Sequence, residues 1–132
     1  MSASDPTKML PTAECLRTPD IVDKPDPRTS YYWGQNPPSL ALHHQDIEAI
    51  KLNAWVPEQV AIQFETARNL YLYAWHVYRF YMVAEMQAFS TLEFGLREKL
   101  PQRLPPKYQR PDADQPTLFG LLSFAIDQGL IR

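Results

Sequence analysis

His43, His44, Asp46 and Glu48 are the densest group of side chains with metal-ligand chemistry, and His44 and Glu48, four residues apart, would share one face of a helix. A metal centre needs further donors. The lone His76 is the one other histidine, so the group reads as surface polar residues rather than a site, and no metal or cofactor is expected. Cys15 is the single cysteine and lies in a proline-rich stretch without a helix terminus or a preorganised base to activate it. Serine, histidine and acid are all present. Yet no nucleophile elbow, phosphate-cradling loop or dinucleotide fingerprint occurs, and four glycines leave little room for one. His76 and Arg79, three apart within an apolar run, read as hydrogen-bonded core polar groups before they read as catalysts. Arg97, Lys99, Arg103, Lys107 and Arg110 place five positive charges within fourteen residues, opposed by Glu98, with Tyr108 among them. Such a segment could grip a phosphate backbone. It could equally be a helix C-terminus favoured by the macrodipole and followed by a solvated loop.

The chain of 132 residues, 45% apolar and 12% aromatic, is sized for one domain. A net charge of −2 exerts no overall pull toward nucleic acid or an anionic membrane. One cysteine permits no intrachain disulfide, which suits a reducing compartment, and Met1–Leu10 holds no apolar run of a secretory signal. Cytoplasm is the expected location. Leu70–Phe89 has the length of a bilayer span, but His76, Arg79, Glu85 and Gln87 interrupt it, so no membrane partner is expected.

Residues 1–38 hold seven of the thirteen prolines and are expected to form an extended, largely unstructured arm, in which Tyr31, Tyr32 and Trp33 dock on something. Residues 39–132 form the helical domain. Ser39 can cap a helix reaching about Trp55 on Leu40, Leu42, Ile47, Ile50 and Leu52. From Pro57 to Leu100 no further proline occurs, and Val60, Phe64, Ala67, Tyr71, Ala74, Tyr78 and Tyr81 keep steps of three and four, which predicts one long helix over 57–100 with its middle buried nearly all round. The prolines between 101 and 116 predict a long surface loop. Thr117 opens a last helix ending near Gln128, with Gly129 in the left-handed cap position. The fold class is therefore all-α, an antiparallel helical bundle built on one long helix.

Such a helix would be ~66 Å long at ~1.5 Å per residue, whereas a globule of this size has a radius of gyration of only ~14 Å. Two short helices cannot cover so aromatic a rod. Tyr71, Tyr78, Tyr81 and Phe89 are accordingly expected at a helix–helix contact, facing either a second copy or helices beyond Arg132, the chain being read as truncated, oligomeric or both.

The aromatic helix ending in Thr91-Leu92-Glu93-Phe94-Gly95-Leu96-Arg97-Glu98-Lys99-Leu100, the charged loop, and Thr117-Leu118 through Ala125-Ile126-Asp127-Gln128-Gly129-Leu130-Ile131 resemble bacterial HEPN-like helical domains over residues 57–131. The resemblance implies an antiparallel, dimerising bundle in a family that contains RNA-cleaving toxins, defence proteins and non-catalytic members. That family's nuclease signature is Arg followed after four to six residues by His. No such pair is present; Arg68-Asn69 and His76 come nearest, with seven residues between Arg68 and His76. No catalytic role transfers to any residue. The expectation is a non-enzymatic interaction and dimerisation domain; the alternative is the front part of an RNA-directed nuclease whose catalytic residues lie beyond residue 132.

Overall fold

The computed structural model describes residues 10–29 and 39–131, and every regular element among them is helical. These are α1 (Leu40–Glu48), α2 (Glu58–Tyr73), α3 (Phe80–Lys99) and α4 (Leu118–Asp127), with short 3-10 turns at Thr12–Glu14 and Pro106–Tyr108. The chain divides into two compact units: Met1–Lys51 with Arg68–Val83, and Leu52–Ala67 with Ala84–Arg132.

One long helix over 57–100 is not what forms. The chain leaves α-helix after Tyr73 and re-enters it at Phe80, although the intervening Ala74-Trp75-His76-Val77-Tyr78-Arg79 contains neither proline nor glycine. The hydrogen bonds show what replaces the helical ladder. Trp75 N–H donates to Leu72 and His76 N–H to Tyr73, tight three-residue spacings, and Tyr78 N–H leaves the helix altogether to donate to the Asp26 carboxylate. The reason is therefore tertiary. With the Leu70–Phe89 run cut in two, no helix among the described residues is long and apolar enough to cross a membrane.

In the first unit, Ser39 caps α1 as its position predicts, its Oγ accepting from the Leu42 N–H. The helix stops at Glu48, well short of Trp55. Ile50 N–H tightens onto Ile47, and Asn53 Oδ1 then accepts from the Trp55 N–H, a local bond that competes with helix. Of the expected apolar face, Ile47 alone is buried. Leu40, Leu42, Ile50 and Leu52 are exposed, while Ile47 and His43, one helical turn apart, go inside.

In the second unit, Gln87 Nε2 donates to the Gln63 carbonyl, and a Cβ on Gly95 would sit 3.5 Å from Val60 Cγ1, so α2 and α3 run in opposite directions here. Past these contacts lies the larger core, in which Leu96, Leu100, Leu104, Tyr108, Leu121 and Ala125 are buried together. Thr117 caps α4 by accepting from Gly120 N–H, and Gly129 ends it at φ +72° with Leu130 N–H returning to the Ala125 carbonyl. Gly120 is required for a different reason. A Cβ there would meet the Tyr108 carbonyl oxygen at 2.1 Å, an overlap with backbone that no rotamer relieves. The segment 101–116 is thus not merely a surface loop: Leu104 and Tyr108 pin it to the core, and the Pro116 carbonyl accepts from Arg97.

Candidate interaction surfaces

In the described part of the arm, residues 10–29, most side chains are exposed, but Asp26 and Thr29 are buried. Asp26 is 1% exposed, and the prolines on either side fix its backbone approach. Its carboxylate accepts from Arg17, from the Arg28 side chain and backbone N–H, and from Tyr78 N–H, while its own N–H donates to the Trp75 carbonyl at 2.9 Å. Burial alone would push this carboxyl up. The hydrogen bonds from Arg28 and Tyr78, with the Arg28 charge, outweigh burial and hold it at about 2. Around it the network widens, since Glu14 pairs with both Arg28 and Arg79, and Arg28 lies over the Tyr78 ring. The Arg79 hydrogen bond, aided by the Arg28 charge, lowers the Glu14 carboxyl below its ordinary range. His76 Nδ1 lies 3.3 Å from the Lys24 carbonyl, so both polar residues of the break face the arm.

Tyr71, Tyr78 and Tyr81, expected to face either a second copy or helices beyond Arg132, pack on one another within this chain. Tyr71 and Tyr81 pack edge to face at 5.1 Å, Tyr78 meets Tyr81 at 5.8 Å, and His43 stacks on Tyr71 at 5.3 Å. His43 Nε2 also contacts the Tyr71 carbonyl, so this histidine is a core group and not a surface one. His44 stays outside, 3.9 Å from Glu48. Among the described residues no group of three or more His, Cys, Asp or Glu side chains could hold a metal ion. Phe89, the fourth of the aromatic set, is the one left on the surface. The expectation that the middle of the 57–100 run is buried nearly all round is corrected accordingly: Tyr73, Phe80, Met82, Val83, Met86 and Phe89 are all exposed.

The basic segment is only partly free. Arg97 is half-buried and committed to Glu93 and to the Pro116 carbonyl. Lys99, Arg103, Lys107 and Arg110 are exposed, but Lys107 lies over Tyr108 and 3.9 Å from Asp127. The aromatic among these charges is spoken for as well. Tyr108 is buried, donates to Asp127 at 2.6 Å and packs on Phe124, so it cannot stack on a base.

Asp26, Glu14, Arg17 and Arg28 are the structurally decisive residues that a linear reading passes over, and His43 is one that it places on the surface. The one local signal was Asp26 between two prolines, and it resembles any charged tether. The chain matches no family model, no curated protein and no solved structure.

Proposed function

We propose that this chain is a non-catalytic helical association module that pairs with a second copy through the outer face of α3. The observation that carries this reading is the exposure of Met86, at 63%, and Phe89, at 50%, with Leu92 further along the same helix. Large apolar side chains left in water near one another favour burial by roughly 25 cal/mol per Å² removed from solvent. They also stand three residues apart, the spacing that lets neighbouring turns engage one groove of a facing helix. The reading keeps the bundle and dimerisation that the HEPN-like resemblance implies. It moves the contact from the tyrosines, which pack within the chain, to the methionine and phenylalanine beside them.

Sedimentation of the full chain should show a dimer that Met86→Asp with Phe89→Asp converts to monomer at unchanged helicity. A wild-type monomer that binds no hydrophobic dye would sink the reading.

The four exposed cations Lys99, Arg103, Lys107 and Arg110 support a second reading, nucleic-acid contact by phosphate pairing. Changing Arg103, Lys107 and Arg110 to Glu should then weaken binding and flatten its salt dependence. Unchanged binding removes this reading and leaves the first intact.

A further inference from the structure

We infer that the arm is a latch that imposes the break between α2 and α3, and that releasing it lets residues 58–99 run as one helix whose internal pairs re-form with a second copy.

The break has no local cause. Residues 74–79 lack proline and glycine, begin with the strongest helix former, and continue the apolar spacing of the helices on either side. A loop so composed needs something else to keep it out of helix.

In a continuous helix Tyr78 N–H would donate to Ala74 and the Trp75 carbonyl would accept from Arg79. Here both groups are taken by one residue of the arm: Asp26 accepts the Tyr78 N–H at 2.8 Å and gives its own N–H to Trp75 at 2.9 Å. Asp26 therefore stands in for the backbone on both sides of the gap. Glu14 adds a tie to Arg79, and Arg28, held by Asp26 and Glu14, covers Tyr78. All of these partners lie on the arm or in the break.

Tyr71 packs on Tyr81 in one unit, and Gln63 and Val60 meet Gln87 and Gly95 in the other. A single straight helix separates each of these pairs along its length. The same contacts can be recovered from an identical neighbour, which is the low-cost route of segment exchange through a hinge.

Gln63→Cys with Gln87→Cys, in a Cys15→Ser background, reports which chain supplies each pair. With Asp26 intact the disulfide should form within one chain. With Asp26→Ala added, a non-reducing gel should show it between two chains, and backbone carbon shifts of Trp75–Arg79 should move to helical values. Because Asp26→Ala removes a buried group, Asp26→Asn is run beside it and should give the same shift at a smaller fraction exchanged. An intrachain disulfide with turn-like shifts in both variants would overturn the inference. General loss of helicity in both would overturn it too, since the arm would then be propping the helices rather than breaking them.

Discussion

Two proline-rich segments of this chain are fastened by opposite means. Residues 10–29 are held by charge, with Asp26 buried among Arg17, Arg28 and the Tyr78 N–H. Residues 101–116 are held by apolar contact, with Leu104 and Tyr108 set among Leu96, Leu100, Leu121 and Ala125. Proline content alone suggested solvated segments in both places. What decides is whether a few residues between the prolines can be buried at little cost, and an aspartate qualifies when enough donors converge on it.

The contrast predicts different failures. Asp26→Ala should be the most damaging single change, since it leaves two arginines and two backbone N–H groups facing each other without their anion; a loss of ~3–5 kcal/mol is expected for breaking such a buried pair. Denaturant unfolding of the full chain at one fixed protein concentration checks it, and raised salt should narrow the difference from wild type. Leu121→Ala in the apolar core should cost ~2–5 kcal/mol and be insensitive to salt. A salt response in the leucine variant would erase the distinction.

Acid separates the two segments further. Asp26 has a folded-state value of about 2 against an ordinary 3.8, so its contribution is complete above the unfolded value and is lost as pH falls through the folded one. Between pH ~4 and ~2 the arm should lose on the order of 2 kcal/mol. The core of Leu96, Leu104 and Leu121 is held by apolar contact, with the exposed Asp127 bonded to Tyr108 at its edge, and should persist. Amide exchange resolved by residue would show Asp26 and Thr29 opening before Leu100 and Leu121. The smallest effect concerns the cap of α4, where Thr117→Ala removes the acceptor of the Gly120 N–H and should cost ~1 kcal/mol, read as a modest fall in melting temperature.

Local signals were legible at the helix caps, though not at the end of α1, where the Asn53 side chain accepts from the Trp55 N–H. Ser39 and Thr117 cap their helices, Gly129 adopts the left-handed cap, and every regular element among the described residues is helical. The helical spacing through 57–100 is also real on each side of residues 74–79. What could not be read there was the interruption, because its cause lies some fifty residues earlier in sequence, at Asp26. His43 was misplaced for a related reason. A histidine at the polar edge of a short helix looks solvated until a distant carbonyl, here that of Tyr71, is brought to it. The aromatic contacts were not legible either: Phe89 is exposed, whereas Tyr71, Tyr78 and Tyr81 are engaged in a cluster that pairwise spacing along one helix cannot reveal.

The Asp26 carboxyl is the point on which this account turns, and its titration can be followed directly by carbon NMR of the full chain. The expected midpoint is near 2, with the Tyr78 and Arg28 amide proton shifts moving at the same pH, since both N–H groups donate to that carboxylate. A midpoint at or above the ordinary aspartate value of 3.8, or a Tyr78 amide that does not follow it, would contradict the anchored arm.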